Sequence, residues 1–129
     1  MAGKGKILVM DDEQIILEVT HEVLNFLNYD CMSASDGQTA IDIYKKEKIA
    51  GAPFDIVILD LSVQTGMGGK ETIEELRKFD PAVKGIVSTG FANDPVVENF
   101  SQYGFSGKLI KPYKISDLKE ILEQLMKKQ

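Results

Sequence analysis

The chain has 129 residues, a net charge of −5 and one cysteine. This length suits a single domain whose core folds without metal or disulfide staples. The acidic balance disfavours direct binding to nucleic acid, and a lone Cys31, which we expect in the core, excludes an internal disulfide or a cysteine-based zinc site. No segment is apolar enough for a signal peptide or a membrane span, so we expect a cytoplasmic protein without membrane contact.

Short apolar segments alternate with longer segments of helical period. The pattern predicts five strands, at Lys6–Met10, Asp30–Ala34, Phe54–Leu59, Gly85–Thr89 and Gly107–Ile110. The third strand is apolar at every position from Ile56 to Leu59, which is typical of a strand covered on both faces.

A helix is predicted after each strand. Asp36 is the expected cap of the second, the third ends near Phe79, the fourth begins at Asp94-Pro95, and Ser116 is the expected cap of the fifth. This alternation predicts an α/β fold with a parallel sheet and helices on both faces. We expect one domain over residues 1–129, with its core at about 6–126.

Polar residues follow four of the predicted strands. Their positions are Asp11-Asp12-Glu13, Asp60, Ser88-Thr89-Gly90 and Lys111-Pro112. Because ligands of such sheets bind beyond the carboxyl ends of the strands, we expect these residues to share one edge. Clustered carboxylates repel and must take up protons or bind a cation. Oxygen ligands without His or Cys favour Mg²⁺, with Mn²⁺ and Ca²⁺ as substitutes, and a lysine and a hydroxyl beside them suit phosphoryl transfer.

These residues, in this order and at about this spacing, resemble the receiver-domain pattern of response regulators in two-component signalling. The resemblance covers roughly Lys6 to Met126. It implies a flavodoxin-like fold, a five-stranded parallel sheet of order 2-1-3-4-5. The segments from Asp60 to Glu71 and from Ser88 to Pro95 are most similar to receivers of hybrid sensor histidine kinases.

The resemblance also implies a role for each residue. Asp11 and Asp12 would hold Mg²⁺ together with Asp60 and the backbone carbonyl of Ser62. Asp60 would accept the phosphoryl group. Thr89 would be the switch hydroxyl, and Lys111, joined to Pro112 by an expected cis bond, would pair with Asp60 and later with the phosphoryl group.

The implied partner is a histidine kinase or a histidine phosphotransfer domain. The domain would assist its own phosphorylation and dephosphorylation without turning over an external substrate, so we do not expect an enzyme. Dimerisation through the fourth helix and fifth strand is common in the family, which makes a homodimer a further candidate.

Two positions depart from the family pattern. Gln64 stands where many receivers have a proline in the loop after the phosphoacceptor, and this places the stiffness of the loop in question. Lys108 stands where the last strand usually carries an aromatic residue, so the usual coupling of that residue to the threonine is not expected here.

Other interpretations remain open at this point. One is a phosphorylation-independent interaction module of the same fold. A flavin- or nucleotide-binding domain would need glycines rather than acids after the first strand, and an aspartyl phosphohydrolase would need a second acid at the place of Ser62. Asp11-Asp12-Glu13 also suits a plain helix start, and His21 falls on a polar helical stripe that predicts a surface histidine.

Overall fold

The structure is a computed structural model that describes residues 3–64 and 66–127. Its strands are β1 (Lys6–Met10), β2 (Asp30–Ala34), β3 (Ile56–Asp60), β4 (Gly85–Thr89) and β5 (Gly107–Ile110). Its α-helices are α1 (Gln14–Phe26), α2 (Gly37–Ile49), α3 (Gly69–Phe79), α4 (Pro95–Glu98) and α5 (Ile115–Lys127), with a 3₁₀ turn at Phe100–Tyr103.

The five strands form one parallel sheet in the order β2-β1-β3-β4-β5, which confirms the predicted fold. Only β3 differs from its predicted bounds. It begins at Ile56 and continues through Asp60, because Asp60 still pairs with Ser88 of β4. The residue expected just beyond the strand is therefore its last member.

Alternation along the strands divides the core between the two faces of the sheet. Leu8, Val57 and Val87 pack on one face with side chains of α2 and α3. Ile7 and Ile58 pack on the other face with side chains of α1 and α5. All five residues of β3 and of β4 are buried, as the apolar run of β3 predicts for a central strand covered on both sides.

Two helix starts follow the prediction. The Asp36 carboxylate accepts from the Thr39 N–H at 2.9 Å, and the Asp94 carboxylate accepts from the Val96 N–H at 2.9 Å ahead of Pro95. Side-chain caps of this kind satisfy backbone donors at the first turn of a helix.

The fourth helix is much shorter than its neighbours. It ends at Glu98, and the chain continues as a 3₁₀ turn. Asn99 leaves the helical conformation, and its side-chain amide donates to the Pro95 carbonyl at 3.0 Å. The Asn99 backbone N–H also donates to this carbonyl at 3.0 Å, so the backbone and the side chain share one acceptor where the helix ends.

The predicted cap of the fifth helix is wrong. The Lys114 carbonyl accepts from the Leu118 N–H at 3.1 Å, so α5 begins at Ile115 and Ser116 lies inside its first turn. The buried face of α5 includes Leu118, Leu122 and Leu125. We attribute the start of this helix to the packing of that face rather than to a hydroxyl cap.

Candidate functional site

The carboxyl ends of adjacent strands bring the predicted site residues together. Asp60 ends β3 and pairs with Ser88 of β4, while Asp11 follows β1, the other neighbour of β3. On the far side, the Thr89 carbonyl accepts from the Lys111 N–H at 2.8 Å, which continues the pairing of β4 with β5. One edge of the sheet thus carries the acids, the hydroxyl and the lysine.

Three carboxylates form a compact acidic cluster. One oxygen from each of Asp11, Asp12 and Asp60 lies within 4.8 Å of the others. Asp11 and Asp60 are buried, and Asp12 is half-buried. Carboxylates this close repel one another unless a cation compensates them. The set of hard oxygen donors fits a divalent cation of the Mg²⁺ type.

Lys111 supplies part of that compensation. Its ammonium donates to Asp11 Oδ2 at 2.9 Å and to Asp60 Oδ1 at 3.1 Å. Burial works to lower the pKa of Lys111, but the hydrogen bonds and charges of the two aspartates outweigh it and raise the pKa above its ordinary value. Lys111 therefore stays protonated and bridges β1 to β3.

The Asp60 carboxylate is held in an unfavourable environment for its charge. Burial raises its pKa, the hydrogen bond from Lys111 opposes that shift, and the charge of Asp11 adds to it. The net pKa lies above the ordinary value of an aspartate. Displaced pKa values of this kind cluster at functional sites.

The acidic cluster opens into a cavity of about 580 Å³ at the edge of the sheet. Its lining residues come from four chain segments: Asp12, Glu13, Ile16, Asp60, Ser62, Gln64, Gly90, Phe91, Lys111 and Pro112. A small charged ligand can reach Asp60 and Lys111 through this opening.

Ser62 and Thr89 occupy different places relative to this cavity. Ser62 is exposed in the cavity wall, and its N–H lies 3.4 Å from Asp60 Oδ1. Thr89 is buried, and its hydroxyl accepts from the Phe91 N–H at 3.3 Å. In this conformation, the Thr89 hydroxyl is therefore engaged with the backbone next to the cavity.

A second polar pair lies behind the site and was not predicted. The Ser88 and Tyr113 hydroxyls form a short hydrogen bond, which ties the segment after Lys111 to β4. Burial raises the pKa of Tyr113 to about 12. The sequence did carry a signal, because a serine inside the wholly buried strand β4 requires a hydrogen-bonding partner.

Gln64 makes a contact that the family pattern does not predict. Its backbone N–H donates to Asp12 Oδ2 at 2.8 Å. A proline at this position would have no N–H to donate. The departure from the family pattern thus places a hydrogen bond on the acidic cluster.

The remaining predictions concern the Lys111-Pro112 bond and the exposure of individual side chains. The bond between Lys111 and Pro112 is cis, as expected. Lys108 is exposed on β5, and His21 is exposed on α1, which confirms its prediction as a surface residue. Cys31 is only partly buried rather than fully in the core, although burial still raises its pKa to about 11.

The interpretation of Asp11-Asp12-Glu13 as a plain helix start does not explain their positions in the structure. Glu13 occupies the cap position without a side-chain hydrogen bond to the helix. Asp11 Oδ1 accepts from the Glu13 N–H at 2.9 Å, but Asp11 Oδ2 also accepts from Lys111 and the residue is 1% exposed, which a plain solvated helix start would not require. Among the described residues, no helix has both the length and the apolar character needed to cross a membrane.

Comparisons with known proteins identify the family of the chain. Residues 7–123 match the family model described as the response regulator receiver domain. Sporulation initiation phosphotransferase F of Bacillus subtilis is 26% identical over 121 residues, which are 94% of this chain and 93% of that protein. Sensor kinase CckA of Brucella abortus is 28% identical over 129 residues, which are 100% of this chain but only 13% of that protein.

A solved structure gives the same picture. The receiver domain of a sensor histidine kinase from Pseudomonas aeruginosa, which has a magnesium ion coordinated in its active-site cleft, superposes with a TM-score of 0.84. It is 25% identical, and the match covers 97% of this chain and 98% of that one. The family match spans most of the chain and the sheet order is the expected one. The chain belongs to the response regulator receiver domains of two-component systems.

Proposed function

We propose that this chain accepts a phosphoryl group on Asp60 from a phosphorylated histidine of a kinase or phosphotransfer domain, and relays the signal by changing conformation. The position of Asp60 carries the proposal. It ends a buried strand, lies in the acidic cluster, contacts Lys111 at 3.1 Å and lines an open cavity. A buried carboxylate with these neighbours is costly to maintain without a functional reason.

In the proposed reaction, an Asp60 oxygen attacks phosphorus while the bond from phosphorus to the donor imidazole nitrogen breaks. The products are an aspartyl phosphate and the free histidine. Both described hydrogen bonds to the Asp60 carboxylate end on Oδ1, which favours Oδ2 as the nucleophile. The Lys111 ammonium is close enough to Asp60 to contact the phosphoryl oxygens and stabilise the negative charge that develops on them.

A divalent cation completes this proposal. Asp11, Asp12 and Asp60 would hold Mg²⁺ or Mn²⁺ together with the backbone carbonyl of Ser62, and the ion would neutralise charge on the transferring phosphoryl group. The close carboxylate oxygens support this assignment.

Thr89 is the proposed switch residue. Its hydroxyl accepts only a long hydrogen bond of 3.3 Å from the Phe91 N–H. A Thr89 hydroxyl that turns inward to donate to a phosphoryl oxygen would give up this weak contact at little cost, and the Phe91 N–H would be released so that the Gly90-Phe91 segment can move. Phe91 is 65% exposed, so its movement would alter the surface beside the cavity.

An apolar surface next to the cavity suits the approach of the phosphodonor. Val19 and Ile115 are exposed there although they are large and apolar. A groove of about 210 Å³ runs between α1 and the segment 111–115, and it shares Ile16, Lys111 and Pro112 with the site cavity. A protein that docks on this groove would bring its histidine towards Asp60.

A phosphorylation-independent interaction module is the second candidate. The exposed Lys108 on β5 favours it, because the usual aromatic partner of the switch threonine is missing. The complete set of acids, hydroxyl and lysine favours the phosphoacceptor. The net charge of −5 supports a protein partner rather than nucleic acid, and the small share of the CckA length that is matched supports a place in a larger hybrid kinase as one setting.

The proposal is tested by locating the phosphoryl group. After incubation with acetyl phosphate and Mg²⁺, borohydride reduces an aspartyl phosphate to homoserine, and peptide mass spectrometry identifies the altered residue. We expect the change at position 60. Modification at another residue, or at none, would contradict Asp60 as the acceptor.

A further inference from the structure

The loop between β3 and α3 is attached to three parts of the fold. The Leu61 N–H donates to the carbonyl of Ser88 on β4 at 2.9 Å. The carbonyl of Met67 accepts from the N–H of Gly37 at the start of α2 at 2.8 Å. Between these two anchors, the Gln64 N–H donates to the Asp12 carboxylate. The middle attachment is the one that ends on the acidic cluster.

The Gln64 contact compensates the carboxylate that Lys111 does not reach. The described hydrogen bonds of the Lys111 ammonium go to Asp11 and Asp60. Asp12 is half-buried beside these two acids and accepts from the Gln64 N–H at 2.8 Å. Hydrogen bonds from backbone amides to carboxylates are among the stronger ones in proteins. Without this donor, repulsion within the cluster would favour rotation of Asp12 towards solvent.

We propose that the backbone N–H of Gln64 is a positioning group for the cation site, which holds Asp12 in place and couples cation binding to the loop between β3 and α3. This inference rests on the proposed function, in which Asp12 helps to hold Mg²⁺. Hydrogen bonds behind a metal ligand fix the orientation of that ligand and raise the affinity for the metal. By thermodynamic reciprocity, a bound cation that fixes Asp12 also stabilises the contact with Gln64.

The coupling has a chemical consequence for the site. The same loop begins directly after Asp60 and includes Ser62, which lines the cavity. A cation that strengthens the Gln64 contact therefore orders the segment that carries its other proposed ligand, the Ser62 carbonyl. The loop and the cation site form one cooperative unit.

The first test compares two substitutions at the same position. Gln64→Pro removes the N–H, whereas Gln64→Ala removes only the side chain. Isothermal titration with MgCl₂ should show about tenfold weaker binding for Gln64→Pro, the low end of the range for lost ligand-orienting hydrogen bonds, and an unchanged affinity for Gln64→Ala. Circular dichroism confirms that both variants are folded. Equal Mg²⁺ affinity of wild type and a folded Gln64→Pro variant would overturn the inference.

The second test uses the unmodified protein and remains decisive if Gln64→Pro fails to fold. Hydrogen exchange of the Gln64 amide, followed by NMR, should slow when Mg²⁺ is added, while the Tyr29 amide, which donates to the Leu24 carbonyl at 2.9 Å at the far end of α1, serves as reference. An unchanged Gln64 exchange rate in saturating Mg²⁺ would contradict the coupling. If the wild-type protein binds no Mg²⁺ at all, the cation site of the proposed function fails together with this inference. If the protein binds Mg²⁺ but the predicted effects at Gln64 are absent, the inference fails and the proposed cation site stands.

Discussion

The Lys111 ammonium lies 2.9 Å from Asp11 Oδ2, although the two residues are 100 positions apart in the chain. This contact is slightly shorter than the one to Asp60, at 3.1 Å. The single ammonium charge of Lys111 therefore faces two buried carboxylates, and its contacts join the ends of β1, β3 and β5. The three carboxylates of the cluster still outnumber this one ammonium, and in the proposed function a divalent cation would supply the remaining compensation.

Removing the Lys111 charge should destabilise the fold. In Lys111→Met, Asp11 and Asp60 remain buried without their partner, and we expect a loss of about 3 kcal/mol in the free energy of unfolding, the low end for a broken buried pair. Mg²⁺ should restore part of the loss, because the proposed cation site uses the same carboxylates and exists in the folded state only. Urea unfolding with and without Mg²⁺ measures both effects.

Lys108→Met is the matched control for that experiment, because Lys108 is an exposed lysine on β5, the strand that ends just before Lys111. It should change stability by less than about 0.5 kcal/mol. If Lys111→Met unfolds at the same urea concentration as Lys108→Met, Lys111 does not compensate the cluster.

The hydrogen bond between Ser88 and Tyr113 should be visible as an energetic coupling. Tyr113→Phe and Ser88→Ala should each cost about 1 kcal/mol, since each leaves a partner hydroxyl without its bond. The double variant should lose clearly less than the sum of the two, as expected for contacting residues. Strictly additive losses in a double-mutant cycle would show that the two hydroxyls do not interact in solution.

Stability in acid should depend on Asp80. Burial works to raise its pKa, but hydrogen bonds from Tyr44 at 2.7 Å and Lys48 at 3.1 Å outweigh it and lower the pKa below 3.8. A lowered folded-state pKa contributes stability above the unfolded-state value, and this contribution is lost as the pH falls through the folded-state value.

The variant Asp80→Asn separates this contribution to stability from those of other carboxylates that also become protonated in acid. It should be less stable than wild type by about 1 kcal/mol at neutral pH, the typical value of such a hydrogen bond, and the difference should shrink in acid. Urea unfolding, measured from neutral pH down through the folded-state pKa of Asp80, gives this difference in stability. A stability difference that grows as the pH falls would reverse the sign and reject the assignment.

The groove beside the site should matter for protein donors and not for small ones. Val19→Glu places a charge in the apolar groove at an exposed position, so it should leave phosphorylation by acetyl phosphate unchanged. Phosphotransfer from a phosphorylated histidine protein should fall about tenfold or more, as for central contact residues. Ile49→Glu, at the exposed end of α2, is the control. Equal phosphotransfer rates in both variants would exclude the groove as the docking surface.

Much of the fold could be predicted from sequence because its signals are local. The apolar runs of β1 and β3, the cap at Asp36 and the polar residues that follow the strands all report positions in a parallel sheet. The acids, Thr89 and Lys111 could be assigned to one edge for the same reason, since parallel strands end together.

The features that the sequence did not predict depend on contacts between distant segments. The Gln64 backbone N–H donates to Asp12, which is 52 positions away in the chain. Every residue type except proline carries this N–H, so the side chain at position 64 does not reveal the contact. The start of α5 at Ile115 depends on the packing of its buried face against the sheet. Such contacts leave little trace in periodicity or composition.

The central claim is that Asp60 is the phosphoacceptor and that the acidic cluster supports it with a divalent cation. The most direct test is the intact mass of the protein after incubation with acetyl phosphate, with and without Mg²⁺, beside Asp60→Asn. We expect a gain of one phosphoryl group that requires Mg²⁺ and is absent from Asp60→Asn. The same gain in Asp60→Asn would contradict the assignment of the acceptor, and no gain in the wild-type protein would favour an interaction module of the same fold.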